Sequence, residues 1–382
     1  MRMPTVVVQT QPASKDGFDS LSVPTYRGST ITFPDYSSFK QRGQRHRSSY
    51  AYGLNGTPTA RTLQNKLTEL EGACDTFLTP SGLMAITVAV LSIVKAGDVV
   101  LLPDNVYPPV RRFAATTLSK LSIGVRYYDP LELDPDLFER GPVKLVWIEA
   151  PGSTTMEIPD VPDIVRRAKA YGALVGCDNS WASPILCRPL ELGADIVVEA
   201  VTKYLSGHSD VLLGSISVAN EALATEVNGC MRSLGVGVSP DDCFLALRGI
   251  ETAAVRLEHV GRTALELVRA VSGKPCVEEV LYPALPESPG HDLWRRLFRG
   301  ASGLFSVVLK DEAESRFADR FDSLKVFSLG ASWGGNHSIL APTILKGERT
   351  INTRYVGKKI VRVSAGLEAA DDLIADLDLV FS

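Results

Sequence analysis

The sequence predicts an α/β fold: a large domain built on a mostly parallel sheet, then a smaller C-terminal α/β domain. Three observations lead there. Between residues 99 and 218, short apolar runs without polar alternation are separated by stretches of helical character. Strands of that kind belong in sheets covered on both faces. Past about Arg248 the pattern changes to one long helical stretch and then widely separated strands, which marks a second unit. The expected division is an arm over 1–55, a large domain over 56–247 and a small domain over 248–382.

The arm is rich in Ser, Thr, Pro and Arg, and its run Gln41-Arg-Gly-Gln-Arg-His-Arg-Ser-Ser49 has nothing with which to build a core. A helix starts after Thr57, a suitable cap, with Pro58 at its first position. Leu63, Leu67 and Leu70 share one face of it, and Gly72 ends it. Ser81-Gly82-Leu83-Met84 opens a second helix running to about Val94, before Gly97. Strands are expected at Val99–Leu102, Val143–Ile148, Ala173–Cys177, Asp195–Val201 and Gly214–Val218, with a helix over Val161–Tyr171. In the second unit a helix from Ile250 to about Val271 precedes strands at Leu304–Leu309, Val326–Ser328 and Lys359–Val363. The last helix, Ala369–Phe381, has Asp371 and Asp372 in its first turn, where they complement the helix dipole. Leu373, Ile374, Leu377 and Phe381 form its inward face.

Composition narrows the function. The chain is 45% hydrophobic and 22% charged with a net charge of −4, which leaves no electrostatic footprint for nucleic acid or a membrane surface. No apolar stretch approaches the ~20 residues of a membrane span. Met1-Arg-Met-Pro-Thr-Val-Val-Val8 is too short for a signal peptide. Six scattered cysteines without a CxxC pair fit free thiols in a cytoplasmic protein. The five histidines show no metal-ligand spacing, so no metal is expected.

One residue carries the chemistry. Lys203 follows the apolar run Asp195–Val201 inside Ala200-Val-Thr-Lys-Tyr-Leu-Ser-Gly-His-Ser-Asp210. Desolvation at a strand end lowers a lysine pKa and frees its lone pair for Schiff-base chemistry. Asp178 ends the earlier run Ala173–Cys177. A lysine at one strand end and an acid at another suit pyridoxal phosphate: the lysine bonds the aldehyde, and the acid keeps the ring nitrogen protonated. Taken alone, an Asp after a strand is ordinarily a cap and a Thr-Lys pair ordinarily surface. The block that follows Lys203 is what raises the pair above that.

With this block the chain resembles the cysteine/methionine-metabolism family of pyridoxal-phosphate enzymes, from about Leu21 to the C-terminus. The resemblance implies the type I fold of these enzymes, like that of aspartate aminotransferase. It implies that the arm over 1–55 reaches a neighbouring subunit in at least a dimer, usually a tetramer of paired dimers, because active sites are shared. Ser81-Gly-Leu-Met-Ala85 resembles the family's phosphate turn, so the N–H groups of Gly82 and Leu83 are expected on the phosphate. Thr202 would add a hydroxyl; the serine many relatives carry three places before the lysine is Ala200 here. Tyr107 matches the tyrosine that stacks on the pyridine ring.

In Tyr50-Ala-Tyr-Gly-Leu-Asn-Gly-Thr-Pro-Thr59, Tyr52 matches a tyrosine that crosses to the partner's phosphate, but the family arginine two places later is Leu54. Leucine cannot replace a bidentate clamp, so Arg61, or Arg42, Arg45 or Arg47 of the arm, is the candidate substitute. Arg362, on the otherwise apolar run Lys359–Val363, would hold the substrate's α-carboxylate. Ser153 in the loop after Glu149, and the turn Ser332-Trp333-Gly-Gly335, resemble the cystathionine β-lyase branch, placing Ser332 and Trp333 at the substrate. His208 and Asp210 would shape the loop after the lysine. The implied activity is cleavage of a carbon–sulfur bond in an amino-acid thioether. Transferases and lyases of the γ class, or a homologue that binds cofactor without catalysis, are the alternatives.

Overall fold

The computed structural model describes residues 2–11, 13, 20–44, 47, 49–310, 317–347 and 349–382. A seven-stranded sheet is formed by β1 (Asp75–Thr79), β2 (Val99–Pro103), β3 (Gly124–Tyr128), β4 (Val143–Glu149), β5 (Leu174–Asp178), β6 (Ile196–Glu199) and β7 (Gly214–Val218), in the order β1-β7-β6-β5-β4-β2-β3. Only β7 runs against its neighbours. The sheet is therefore mostly parallel, as expected. Its central strands are buried along their whole length, which is why they read as continuous apolar runs.

A second sheet of five strands takes β8 (Val277–Leu281), β9 (Leu304–Leu309), β10 (Ser328–Leu329), β11 (Ile339–Ile344) and β12 (Lys359–Ser364), in the order β10-β11-β12-β9-β8. The long helix Ala253–Val271 and the final helix Ala370–Phe381 pack together over it.

Several expectations change in detail. The helix from Gly82 ends at Leu91, short of Val94, and the run Asp195–Val201 contributes only Ile196–Glu199 to the sheet. The strand expected at Val326–Ser328 is the two-residue β10. The helix expected from Ile250 begins at Ala253, with a separate helix at Pro240–Ile250. Strands β1, β3, β8 and β11 lie outside the expected set: the first three mix polar and apolar residues, and the apolar run of β11 is interrupted by Pro342. In β1 the buried Thr76 is held by a hydroxyl pair with Ser217 of β7, 2.9 Å apart, an interaction only the tertiary structure provides.

Part of the arm lies on its own chain. The helix Met3–Val8 buries Val6 and Val7, and the buried Lys66 ammonium donates to the carbonyls of Val6 and Gln9. Further on, Thr59 Oγ1 donates to the Pro24 carbonyl and accepts from Tyr26 N, both at 2.8 Å.

Candidate active site

Because β7 alone is reversed, the carboxyl ends of the other strands in the first sheet share one edge, where open α/β sheets bind ligands. That edge carries Ser81 and Gly82 after β1, Tyr107 after β2, Glu149 ending β4, Asp178 ending β5 and Lys203 after β6. Glu149 and Asp178 are register partners on adjacent strands. The second sheet closes the cavity with Leu304, Ala331, Trp333 and Arg362, leaving a volume of about 220 Å³.

Lys203 lies in the cavity wall. Its Nζ donates to Ser332 Oγ at 2.8 Å and stands 4.9 Å from the centre of the Trp333 ring. Burial lowers its pKa to about 8; Arg362 pushes the same way and Asp178 opposes. The amine therefore loses its proton far more readily than an exposed lysine, though it is still largely protonated at pH 7. The turn opposite requires glycine: Gly334 has φ +80°, and a Cβ there would stand 3.2 Å from Lys203 Cβ.

Asp178 accepts from Ser180 N at 3.0 Å, while burial raises its pKa against the Ser180 hydrogen bonds and the Lys203 charge. A cationic ring nitrogen beside it would reverse that penalty. Tyr107 stands at the cavity mouth, its backbone N donating to Glu149 Oε2 at 2.7 Å. Burial raises the Tyr107 pKa, as does Asp178. The Glu149 carboxyl is pushed well up by burial and then by Asp178.

At the phosphate end, Ser81 caps the helix Gly82–Leu91 by accepting from Met84 N at 3.1 Å. The N–H groups of Gly82 and Leu83 have no helical acceptor and stand at the dipole's positive end. A Cβ on residue 82 would lie 2.7 Å from Ala200 Cβ, so the helix start can approach β6 only with glycine there. Thr202 lines the cavity, but its hydroxyl donates to the Leu213 carbonyl at 3.0 Å and accepts from Leu213 N at 2.9 Å. As a phosphate donor it would have to release Leu213.

Arg362 points into the cavity from β12. Nη2 donates to the Ala331 carbonyl at 2.8 Å, and among the described residues no carboxylate lies within 4 Å of the guanidinium. Burial lowers its pKa, and Tyr107 partly offsets this. A buried cation without a carboxylate is a receptor for an incoming one.

Tyr52 is half exposed and lies outside this chain's cavity, as does Leu54. None of the described candidates to replace the missing arginine reaches the cavity within one chain. Arg61 donates to the carbonyls of Arg47 and Asn55 and lines a separate cavity beneath Leu54. Arg47 pairs with Asp75 and Glu221, and Arg42 stacks on Phe39. Arg45 lies outside the described residues.

Sequence reading missed Trp181, a cavity wall whose Nε1 donates to the Leu304 carbonyl at 3.1 Å. It also missed Arg256. This buried side chain donates to the carbonyls of Tyr204 at 2.8 Å and Gly249 at 2.7 Å, tying down the loop after Lys203. Burial lowers its pKa to about 10. The only signal was an arginine on the apolar side of the helix Ala253–Val271. His208 accepts or donates locally, with Nδ1 2.6 Å from the Ser206 carbonyl, in keeping with a loop-shaping role.

A mostly parallel sheet with a lysine of lowered pKa, a buried acid, a helix N-terminus and a carboxylate-free arginine around one cavity defines an enzyme site suited to pyridoxal phosphate. Lys203, Asp178 and the helix N-terminus at Gly82 fit that group, while its phosphate finds no cation among the described residues of the same chain. The chain belongs to the Cys/Met metabolism PLP-dependent enzyme family, whose model matches residues 4–382. It is 37% identical to an L-alanine/L-glutamate racemase of Wolbachia pipientis wMel, over 99% of this chain and 96% of that one. It is also 37% identical to the chloroplastic cystathionine beta-lyase of Arabidopsis thaliana, over 96% of this chain and 78% of that one. The crystal structure of cystathionine gamma synthase from Xanthomonas oryzae pv. oryzae, in complex with aminoacrylate and cysteine, superposes with a TM-score of 0.91. It has 29% identity and covers 100% of this chain and 98% of that one.

Proposed function

We propose that the protein is a carbon–sulfur β-lyase acting on amino-acid thioethers, with L-cystathionine the simplest substrate and homocysteine, pyruvate and ammonia the products. The observation that carries this is the Lys203 amine. Its pKa is near 8, it is held by Ser332 over the Trp333 ring, and it faces a cavity that also contains Arg362. The resemblance of Ser153 and Ser332-Trp333 to the β-lyase branch, and the lyase relative, support the choice of reaction.

In this reading Lys203 holds the cofactor, Asp178 faces its ring nitrogen and Tyr107 its ring, while Gly82, Leu83 and Thr202 serve its phosphate. Bound there, the cofactor supplies the electron sink for a carbanion at the substrate Cα. Arg362 binds the α-carboxylate. Once displaced by substrate, Lys203 takes the Cα proton as general base, and Ser332 keeps the amine oriented. The Cβ–S bond breaks with its electron pair leaving on sulfur, which gains a proton. Water converts the remaining three-carbon unit to pyruvate and ammonia. Trp181 and Trp333 line the cavity and limit its access to water. Tyr52, outside its own cavity, completes a neighbour's site in a homo-oligomer, a dimer or pair of dimers. Its place is the cytoplasm, in trans-sulfuration and methionine biosynthesis.

A second reading, amino-acid racemisation, begins with the same Cα proton removal. The racemase relative favours it, and so does the cavity lining, whose only cations among the described residues are Lys203 and Arg362. One carboxylate can be paired there, which is all that alanine requires. A single set of assays separates the readings. Cystathionine, cysteine, methionine, O-acetylhomoserine and L-alanine are followed for pyruvate, keto-butyrate and D-alanine. Pyruvate from cystathionine supports the lyase, keto-butyrate a γ-class enzyme and D-alanine the racemase. Activity surviving in Lys203→Ala would overturn every version.

A further inference from the structure

The segment 349–352 leaves the second sheet after β11 and crosses to the first sheet with little apolar burial of its own; Ile351 is 52% exposed. It is held by two carboxylates. Asp104, the residue after β2, is fully buried and accepts from Thr350 N at 2.9 Å, Thr350 Oγ1 at 3.0 Å, Ile351 N at 3.0 Å and Asn352 N at 3.0 Å. The same carboxylate pairs with Arg111, on the helix Pro108–Phe113 that Tyr107 begins. Burial pushes the Asp104 carboxyl up, but these hydrogen bonds outweigh it and hold the pKa below the ordinary value. Beside it Glu157 accepts from Arg349 Nη2 at 3.2 Å, Asn105 Nδ2 at 2.9 Å and Thr155 Oγ1 at 2.6 Å. Asn105 in turn accepts from Ser153 N at 3.0 Å. Apart from Arg111 on its helix, these donors lie on a strap from the second sheet or on loops beside the cavity. Burying two carboxylates is costly, and solid packing here would need neither.

We propose that Asp104 is a positioning residue: by gripping residues 350–352 and Arg111 together, it sets the Tyr107 loop against the sheet that carries Ser332, Trp333 and Arg362. Tyr107 contributes to the site only if its ring keeps a fixed distance from groups on the other sheet. Among the described residues no strand pairing joins the two sheets, so that distance depends on side-chain packing and cross-links such as this one. Glu157 and Arg349 are the second point of the same grip.

The test is hydrogen–deuterium exchange on the cofactor-loaded, full-length protein, comparing Asp104→Asn and Thr350→Val with the unsubstituted chain. In Asp104→Asn the amides of 349–352 should exchange on the order of tenfold faster, and those of 105–113 should accelerate with them, while β5 and β6 stay protected. The visible circular dichroism of the bound cofactor should weaken at unchanged cofactor content. The dichroism readout rests on Tyr107 facing the cofactor ring; the exchange readout does not, so the two fail separately. Thr350→Val removes one donor at an exposed side chain and keeps the proposal testable if Asp104→Asn does not fold. It should give the same pattern at smaller size. Faster exchange confined to 349–352, or spread evenly over both sheets, would overturn the proposal.

Discussion

Lys203 and Glu71 show how burial sets two opposite protonation problems in one fold. The Lys203 pKa is lowered to about 8, so its uncharged form dominates only above that pH. An amine-reactive reagent should label Lys203 of the cofactor-free protein with a midpoint near pH 8, identified by peptide mapping. A midpoint at the ordinary lysine value of 10.5 would contradict the burial argument. Glu71 ends the helix Pro58–Glu71, where the dipole disfavours a negative charge, and it meets Glu199 in the core. Neither Glu71 oxygen has a donor among the described residues, so the contact requires a proton between the two carboxyls. Burial raises Glu71 from 4.5 to about 8, against Glu199 and Arg188, and Glu199 is also raised, by burial and then by Glu71.

Linkage then fixes the sign. With the folded pKa above the unfolded one, the stability contribution is complete below pH 4.5 and is lost as pH rises through 8. The melting temperature should therefore fall between pH 5 and pH 9 in the natural chain, and by at least ~2 °C less in Glu71→Gln. The sequence displayed both glutamates but no hint that they meet.

Two short elements position the amine. The turn 331–335 delivers Ser332 to Lys203 through Gly334, whose positive φ and crowding against Lys203 exclude a side chain. Gly334→Ala should cost roughly 1–3 kcal/mol of stability in denaturant titration and lower kcat through a displaced Ser332. On the other side, Gly207 has φ +71°, and a Cβ there would fall within 1.7 Å of Arg256 Nη1, so the loop after the lysine closes directly on that guanidinium. On β12, Arg362→Ala should raise KM roughly 10- to 100-fold, from loss of charge-assisted hydrogen bonds to the carboxylate, with a smaller change in kcat. Steady-state kinetics on the best substrate measures this. A fall confined to kcat would move Arg362 out of carboxylate binding. Periodicity and caps revealed the buried strands and five of the longer helices, but not the helices Glu221–Leu234 and Pro240–Ile250. They could not reveal β1, β3, β8 or β11, whose burial is mixed or whose pairing rests on hydroxyls.

Across the whole molecule, the N-terminal helix bears on stability through the buried Val6 and Val7 and through one ammonium. Lys66 is buried at 3% exposure, and the carbonyls of Val6 and Gln9 accept from it. Deleting residues 1–11 would leave that charge facing a vacated groove and expose apolar surface previously covered by Val6 and Val7. Stability should fall by roughly 3 kcal/mol, read as a lower denaturation midpoint for the whole first sheet. An unchanged midpoint would show that the segment is a passive tail.

The sequence by itself determined the class of fold, the cofactor chemistry and the residues at the strand ends. Apolar runs, caps and the lysine block are local patterns, and their physical meaning does not depend on distant partners. Only the tertiary structure decided what those residues face. It placed Ser332 on the amine, committed the Thr202 hydroxyl to Leu213, left Tyr52 outside its own cavity, and joined Asp104 to a strap some 250 residues away. Each of these is a contact between polar groups far apart in the chain. Hydrogen bonds and charge pairs of that kind leave no periodic trace, because a polar residue reads alike whether it meets water or a buried partner.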